Sequence, residues 1–509
     1  MKQKSPGRKD RSNPSFSARF LDFVHTTLAY LSTKQEINEA FALGEWLATY
    51  LWENISGIYR LDELEEILAA KLDGDFNRWT PTTAPGSGEL HVATELYRSG
   101  GHTPIAANLI ESAPAASDVL LTRMTNVEMA AEVLGVPQDR IHSVGDMRDT
   151  MLRVKSMVDI MVRYDRVILH IHPNDVTCAV AARFAKRLRP TIQVCFINHA
   201  DHVFSAGIGI ADRVFEVSTY GWGLRQARGT ETTSSFIGLP IKKPQEGDHV
   251  DSSAAPVTFL TGASAYKFRP RLGMALPPVL DRLLDEQPGS RLIAIGPNAL
   301  DWWWLRMRVT RFRRAQFSRV VPKDEYQSML NRCNVYINSY PMGGGTAFPE
   351  ALMSGCNVAG LRGVGWGYSY ADELLTADTD AFLKDCLELS SGDQVALQRQ
   401  QDIRQRCVDH HQPAAVRARL DSSLSEKRLL GPPEDQLRDL PKPILEAMWQ
   451  AAESSQTPLT LRVSFSDRKW LARQHRKLFG LSSGSHRLMF WASAPVYKLQ
   501  PFLTVDNGF

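Results

Sequence analysis

Residues 337–363, INSYPMGGGTAFPEALMSGCNVAGLRG, combine residue types that suit the binding of an anion. An apolar strand is predicted to end before Pro341, three glycines follow, and a helix is predicted to begin near Thr346 with Pro349 in its first turn. Glycines let the backbone approach a ligand closely, and the N–H groups of a helix start attract a diphosphate. Glu350 lies one turn into that helix, where its carboxylate can accept hydrogen bonds from sugar hydroxyls. A glycine-rich turn with a capping Thr and a first-turn Glu would explain the pattern without a ligand.

Two further loops in the same half of the chain follow apolar strands. FLTGASAYKFRPR (259–271) places Lys267 and Arg269 just after a strand, where a cation would neutralise the charge of a departing diphosphate. Solvated surface cations would give the same pattern. IGPN (295–298) ends the next strand and would line a base pocket. The residues predicted to bind this ligand are Gly262, Lys267, Arg269, Gly296, Asn298, Tyr340, Gly343, Gly344, Gly345, Thr346 and Glu350.

The first half of the chain carries a glycine- and histidine-containing loop and two polar strand ends. Gly100, Gly101, His102 and Thr103 lie between a predicted strand and a predicted helix, although a tight turn with a surface histidine would look the same. HIHPNDV (170–176) and INHADHVF (197–204) end apolar strands, and the carboxyl ends of parallel strands meet at one edge of a sheet. These polar strand ends contribute His170, His172, Asp175, Asn198, His199, Asp201 and His202.

A histidine backed by an aspartate can act as a general base towards a hydroxyl group, because its pKa lies near the working pH. The predicted catalytic residues are therefore His199 and His202 with Asp201, followed by His172. Each could instead be a structural histidine. A metal site is disfavoured because the H-x-H and H-x-x-H spacings differ from the helical H-E-x-x-H pattern.

Two D-x-D triplets, at 73–75 and 378–380, bear on metal dependence. A metal-binding triplet of this kind should follow an apolar strand, and neither triplet does. We interpret both as helix caps or turns, and we expect neither a metal ion nor a cofactor.

DWWWLRMRVTRFRRAQF (301–317) combines three tryptophans with five arginines. As a basic amphipathic helix it could lie on an anionic membrane surface. The preferred interpretation is an ordinary helix with buried tryptophans and a solvated basic face.

Strand-like and helix-like segments alternate over most of the chain, which predicts βαβ units and parallel sheets. An N-terminal region from Phe20 to about Leu72 shows helical spacing instead. The linkers at 80–88 and 242–256 are rich in residues that break regular structure. The predicted strands lie at 118–123, 165–172, 191–199, 212–219, 257–262, 291–296, 318–322, 334–341 and 357–361.

Composition excludes several classes of protein. The chain has 509 residues, of which 43% are hydrophobic and 23% charged, so wholesale disorder is excluded. Its 59 Lys and Arg against 56 Asp and Glu leave a charge of +3, too small for a dedicated nucleic-acid binder. Six cysteines without a C-x-x-C pair indicate buried thiols in a reducing compartment. Without a long apolar run or a signal sequence, we expect a cytoplasmic protein, with peripheral contact at the inner face of a membrane left open.

The 337–363 segment resembles the signature of GT-B-fold glycosyltransferases of the group 1 bacterial type, in which a Pro, a Gly-rich loop and a P-E-A-L-x-x-G helix clasp a nucleotide sugar. The resemblance covers about residues 89–425 and implies an α/β protein with two Rossmann-like domains facing a cleft. The expected domains are a basic tail and helical region (1–88), an acceptor domain (89–246), a nucleotide-sugar domain (252–425) and a C-terminal extension (426–509).

The resemblance implies a metal-independent glycosyltransferase of the hexosyltransferase type, which moves a sugar from a nucleoside-diphosphate sugar to a glycan, a lipid-linked sugar or a protein. Related retaining enzymes carry two glutamates eight positions apart; Glu350 matches the second, but Met342 occupies the first. The stereochemistry is therefore open, as are the nucleotide and the oligomeric state. A nucleotide-sugar epimerase or hydrolase on the same architecture, or a non-catalytic glycan- or partner-binding module, remains an alternative.

Overall fold

The computed structural model describes residues 16–53, 56–82, 86–98, 101–243, 256–364, 366–436 and 463–479. Within these ranges the chain forms two parallel sheets surrounded by helices. The strands are β1 (Glu89–Ala93), β2 (Asp118–Leu121), β3 (Ile141–Ser143), β4 (Arg166–His170), β5 (Gln193–Asn198), β6 (Arg213–Glu216), β7 (Ser234–Phe236), β8 (Thr258–Gly262), β9 (Arg291–Ile295), β10 (Ala315–Ser318), β11 (Val335–Ile337), β12 (Val358–Leu361) and β13 (Leu375–Thr376).

The α-helices flank the sheets and make up the N-terminal region. They are α1 (Phe16–Ser32), α2 (Ile37–Glu53), α3 (Asp62–Ala70), α4 (Asp73–Phe76), α5 (His102–Glu111), α6 (Val127–Leu134), α7 (Thr150–Met161), α8 (Val176–Leu188), α9 (Thr219–Gly223), α10 (Arg225–Arg228), α11 (Leu276–Glu286), α12 (Leu305–Thr310), α13 (Lys323–Arg332), α14 (Ala347–Met353), α15 (Thr379–Ser391), α16 (Gln394–His411), α17 (Pro413–Ser425) and α18 (Phe465–Phe479). None of the described helices is both long and apolar enough to span a membrane.

Strand order places a crevice in each sheet. The first sheet runs β3-β2-β1-β4-β5-β6-β7 and the second β10-β9-β8-β11-β12-β13, and the paired strands of both are parallel. The order reverses between β1 and β4 and again between β8 and β11. The loops that follow these strands diverge, and such switch points are where open α/β sheets bind ligands.

The N-terminal helices form one hydrophobic core with the first sheet, as α1, α2 and α3 pack beside α7 and α8. Helix α18 returns to this region from the far end of the sequence. Its Trp470 stacks on Tyr30 with ring centroids 4.1 Å apart, and its Asp467 accepts the Tyr30 hydroxyl at 2.7 Å and pairs with Lys34. The N-terminal helical region is therefore braced by the C-terminal one.

Both D-x-D triplets lie at helix starts, as the sequence predicts. Asp378 accepts the backbone N–H of Ala381 at 2.9 Å and caps α15. Asp73 begins α4, where it also pairs with Arg187 at 2.7 Å.

Two predictions for residues 301–322 are wrong. The edge strand β10 precedes the predicted run at 318–322, because Arg314 donates to the carbonyls of Gln287 and Ser290 and holds the residues after it beside β9. The expected long amphipathic helix is a 3₁₀ turn followed by the short α12. Of its three tryptophans, Trp304 is fully buried, whereas Trp302 is 73% exposed.

Gly296, at the end of β9, occupies a position that a side chain cannot enter. Its φ is +110°, and a Cβ atom there would lie 1.6 Å from the carbonyl oxygen of Ala263. We expect Gly296→Ala to lower the free energy of unfolding by at least about 3 kcal/mol, as strain and overlap add. Gly289→Ala is the matched control, since its φ is +88° and nothing lies within 4 Å; it should cost about 1 kcal/mol. If chemical denaturation showed the same loss of unfolding free energy for Gly296→Ala and Gly289→Ala, the overlap at Gly296 would be contradicted.

Candidate functional site

The Gly343–Thr346 loop is held in place by the residues that end β11. The side-chain oxygen of Asn338 accepts the backbone N–H of Gly344 at 2.9 Å, and the hydroxyl of Ser339 donates to the carbonyl of Met342 at 2.7 Å. Helix α14 then begins at Ala347, close to the predicted start at Thr346. The Thr346 side chain makes no capping bond to the helix. The loop is thus fixed by its own polar side chains, and the Thr346 hydroxyl does not serve as the helix cap.

Lys267 joins this loop to the loop that follows β8. Its Nζ donates to the carbonyl of Gly343 at 3.1 Å, and its carbonyl accepts the N–H of Met342 at 3.2 Å. Met342, which stands at the position of the missing glutamate, is therefore part of this backbone connection.

The same loop carries an unbalanced positive charge. Lys267, Arg269 and Arg271 have no carboxylate at ion-pair distance among the residues that the structure describes. Burial, reinforced by the charge of Arg269, lowers the pKa of Arg271. Three neighbouring cations without a neutralising carboxylate favour an anion at this edge of the sheet.

Glu350 lies near two tyrosines close to the carboxyl end of β8: Tyr336, which is fully buried, and Tyr326, which is partly buried. The hydroxyl of Tyr336 donates to the carbonyl of Gly262 at 2.9 Å. Burial raises the pKa of Tyr326 and of Tyr336, and the nearby charge of Glu350 adds to both shifts. Gly262 packs closely on the Tyr326 ring: a Cβ atom on residue 262 would lie 3.3 Å from that ring. Gly262 and Glu350 therefore both lie near the same two tyrosines.

The remaining predicted residues of this half lie further along the same edge. Asn298 follows β9, and its N–H donates to Asp301 at 2.7 Å within its own turn. Tyr340 is half-buried against the core of the second sheet. Gly345 lies against the ring of Tyr368: a Cβ atom on residue 345 would be 3.4 Å from that ring.

Across the cleft, His102 begins helix α5 after β1. Its Nε2–H donates to the carbonyl of His170 at 2.8 Å, and Thr103 accepts the N–H of Tyr97 at 2.8 Å. Thr103 is therefore a buried structural residue of this turn. Gly101 is described, and Gly100 lies outside the described residues.

Three histidines form a cluster: His172 and His199, which follow β4 and β5, and His102, which begins α5. The ring centroid of His102 lies 4.3 Å from that of His199 and 5.5 Å from that of His172. Tyr97 stacks on His172 at 5.8 Å. Burial, with repulsion from neighbouring cationic groups, lowers the pKa of His172 to about 3 and that of His199 well below its usual value. Both rings are consequently neutral near pH 7.

Asp201 and His202, predicted from the sequence as an acid–base pair, are in contact in the structure. The Nδ1 of His202 lies 3.1 Å from a carboxylate oxygen of Asp201, which is fully buried. Ser218 donates its hydroxyl to the other carboxylate oxygen, and Arg228 donates to the Asp201 carbonyl at 2.8 Å. The hydroxyl of Tyr368, from the other side of the cleft, lies 3.4 Å from Asp201. Asp201 is therefore oriented from both sides.

Three of the contacts between the two halves lie beside these loops. A Cβ on Gly101 would lie 2.8 Å from the Thr346 hydroxyl, so these loops touch only because residue 101 has no side chain. The N–H of Thr219 donates to the carbonyl of Gly367 at 2.7 Å. With the Tyr368–Asp201 contact, these bonds place the glycine loop opposite the histidines.

Two strand-end residues do not join this group. The side chain of His170 is fully buried, and its Nε2 lies 2.9 Å from Nδ1 of His91 on the adjacent strand. Asp175 caps α8 by accepting the N–H of Cys178, and it also accepts the hydroxyls of Thr94 and Thr122. The side-chain hydrogen bonds of both residues are made within the first sheet and its helix α8, so both have structural roles.

Sequence reasoning missed Ser218, Thr219 and Tyr368. They lie outside any motif, and only the packing of the two halves brings them to the site. Among the residues that the structure describes, no group of three His, Cys, Asp or Glu side chains could hold a metal ion.

The buried histidines predict an acid-sensitive fold. The pKa of His172 is about 3 in the folded chain, so only the unfolded chain takes up this proton as the pH falls below about 6.5. We expect the melting temperature to fall from pH 7 to pH 5, and His172→Gln to reduce that fall. His25→Gln, at an exposed histidine, is the control. An unchanged pH slope in His172→Gln would contradict the assignment.

Comparisons place this architecture among known structures. No protein-family model matches the chain, and no curated protein sequence matches it. Anabaena HepE in complex with UDP has a TM-score of 0.52 at 14% identity, covering 66% of this chain and 99% of HepE. HepE with UDP-glucose has a TM-score of 0.52 at 13% identity and the same coverage, 66% and 99%. A variant of the Thermobaculum terrenum O-GlcNAc transferase covers 86% of this chain and 83% of its own, at 15% identity and a TM-score of 0.48.

The chain therefore has the GT-B fold: two Rossmann-like parallel sheets whose carboxyl ends face one cleft, with a helical N-terminal region. This confirms the predicted fold class.

Proposed function

We propose that the protein is a metal-independent glycosyltransferase that moves a sugar from a nucleoside-diphosphate sugar to a hydroxyl of a glycan, a lipid-linked sugar or a protein. The observation that carries the proposal is the arrangement across the cleft. The glycine loop of the second sheet, to which Lys267 of the neighbouring loop is hydrogen-bonded, touches through Thr346 and Gly101 the loop that carries His102 of the histidine cluster. HepE, which has the same fold, was solved with UDP and with UDP-glucose.

The second sheet would bind the donor. The diphosphate would lie against the Gly343–Thr346 backbone, with Lys267 and Arg269 opposite its charge and Glu350 accepting hydroxyl hydrogens. As the bond between the anomeric carbon and the diphosphate oxygen breaks, negative charge collects on the leaving diphosphate. Fixed cations stabilise that charge more than they stabilise the bound substrate, which accelerates the reaction.

The first sheet would present the acceptor. The hydroxyl oxygen of the acceptor forms the new bond to the anomeric carbon, and its proton passes to Nε2 of His202, while Asp201 holds the Nδ1–H and stabilises the imidazolium. Nδ1 of His199 lies 3.3 Å from the carbonyl of Ile197, so its Nε2 is left to accept a hydrogen bond from the acceptor. The cross-cleft contacts would keep out water, the competing acceptor.

A thermal-shift screen against UDP, GDP, dTDP, CMP and their common sugar conjugates tests the donor half of the proposal. A ligand at about 100 times its dissociation constant should stabilise the chain by roughly 2.7 kcal/mol. One nucleotide class should raise the melting temperature, less so in Glu350→Ala. Glu426→Ala, at an exposed position, should behave as the wild type. If none of the nucleotides shifts the wild type, the transferase proposal is rejected.

Product analysis separates transfer from the chemistry of an epimerase or hydrolase. With the donor that binds, free sugar or epimerised donor formed in the absence of any acceptor would favour those activities. Binding without turnover across a broad acceptor panel would favour a non-catalytic module. The proposal expects nucleoside diphosphate to be released in step with a glycosylated acceptor.

A further inference from the structure

The segment that follows β9 exposes an unusual amount of apolar surface, which we call the apolar stripe. Its side chains are Leu300, Trp302, Leu305, Val309 and Phe312, with exposed fractions of 94%, 73%, 60%, 65% and 68%. Single exposed apolar residues are ordinary on a protein surface, whereas several of them within one short segment are typical of an interaction site.

The exposure of the stripe follows from how the segment packs. Trp304 and Met307 are fully buried in the core of the second sheet, where Trp304 meets Phe268 at 5.5 Å. Positions 302, 305 and 309 are three or four residues apart, so they lie along the opposite side of the 3₁₀ turn and of α12, and Phe312 follows two residues after the helix ends. The segment is therefore apolar on both sides, and its inner side alone is used by the fold.

Cationic groups border the stripe. Residues 300–314 contain five arginines and one aspartate. Arg308 and Arg314 donate to backbone carbonyls, and Arg311 pairs with carboxylates of α11. Arg306 is 82% exposed despite an ion pair, and the Arg313 guanidinium lies 5.4 Å from the Phe312 ring at the exposed end of the stripe.

We propose that the apolar stripe docks the protein on the surface of an anionic lipid bilayer. Aromatic and aliphatic side chains would enter the headgroup boundary, as in interfacial helices, and Arg306 and Arg313 would contact lipid phosphates. A second copy fits less well, because a two-fold contact would place the same arginines against each other. The charge of the stripe thus favours an anionic surface over self-association.

The position of the stripe gives this contact a consequence. It begins two residues after Asn298, at the carboxyl edge of the second sheet, where Lys267 and Arg269 also follow a strand. Docking would therefore bring the edge of the cleft near the bilayer.

Vesicle co-sedimentation of the full chain tests the proposal. The wild type should bind phosphatidylcholine vesicles that contain about 30% phosphatidylglycerol, bind pure phosphatidylcholine more weakly, and dissociate as salt rises. Trp302→Ser with Phe312→Ser should weaken binding by at least about 10-fold, and Arg313→Glu should weaken binding to the anionic vesicles. Leu152→Ser with Val395→Ser is the matched control, since these side chains are 61% and 80% exposed elsewhere.

Three results would overturn the proposal. The first is that the wild type fails to bind the anionic vesicles, or that the stripe variant binds them as well as the control does. The second is a wild-type dimer in light scattering that the stripe variant abolishes, which would assign the stripe to a second copy. The third is a melting temperature that the stripe variant lowers far more than the control, which would mean that the chain itself covers the stripe.

Discussion

His202→Ala is expected to lower kcat by about 10²–10⁴-fold, the usual contribution of a general base, while nucleotide affinity stays within about two-fold of the wild type. The reason is that the His202–Asp201 pair lies at the first sheet, where we propose that the acceptor binds, so its loss would affect the proposed proton transfer and not donor binding. Steady-state kinetics and nucleotide titration measure the two effects separately. His25→Ala, at an exposed histidine, is the matched control.

Asp201→Asn tests whether Asp201 acts through His202. If Asp201 acts through His202, the double variant should lose little more activity than the more damaging single variant, because residues that act as a unit are not additive. Tyr368→Phe, which removes the hydroxyl 3.4 Å from Asp201, should have a smaller effect of the same kind and should change the pH profile of kcat. Full additivity of the His202 and Asp201 losses, or wild-type activity in His202→Ala, would contradict the assigned base.

Lys267→Met is expected to weaken the binding of nucleoside diphosphates and to lower kcat by about 10²–10³-fold, the effect of removing one preorganised group that stabilises developing charge. Nζ of Lys267 is held at the Gly343 carbonyl, beside the backbone that would carry the diphosphate. The loss of affinity should be larger for a diphosphate than for the corresponding monophosphate, because the second phosphate adds charge near this loop. Titration calorimetry with both ligands measures the difference.

The control for Lys267 is Lys384→Met, since Lys384 is a 72% exposed lysine on α15. It should change neither affinity nor rate. Equal losses for monophosphate and diphosphate would assign Lys267 to the structure of its loop, and no loss at all would remove it from the donor site.

The sequence predicts the parts of this fold that depend on local pattern. The buried runs that became β4, β5 and β8 are continuous and apolar, and the helix after the glycine loop begins close to Thr346, as Pro349 in its first turn indicates. The short strands β3 (IHS), β7 (SSF) and β13 (LT) carry too few apolar residues to give a period, and they form because a neighbouring strand is present to pair with them.

The candidate site likewise contains features that local sequence pattern predicts and features that only tertiary packing produces. Strand ends converge by topology, so His172 and His199 are expected at one edge of the sheet, whereas the contacts of His102 with both rings are visible only in the structure. The contact of Tyr368 with Asp201 spans 167 positions and depends on how the two sheets dock, which no local pattern encodes. His170 and Asp175 show the converse, since a strand end can equally direct a polar side chain into a hydrogen bond of the fold.

A diffraction structure of the chain soaked with the nucleoside diphosphate that gives the largest thermal shift tests the central claim most directly. We predict a diphosphate between the backbone N–H groups of Gly343–Thr346 and the Lys267 ammonium, with the nucleoside along the carboxyl edge of the second sheet near Glu350. A nucleotide bound away from that loop, or a cleft that stays empty at saturating nucleotide, would contradict it.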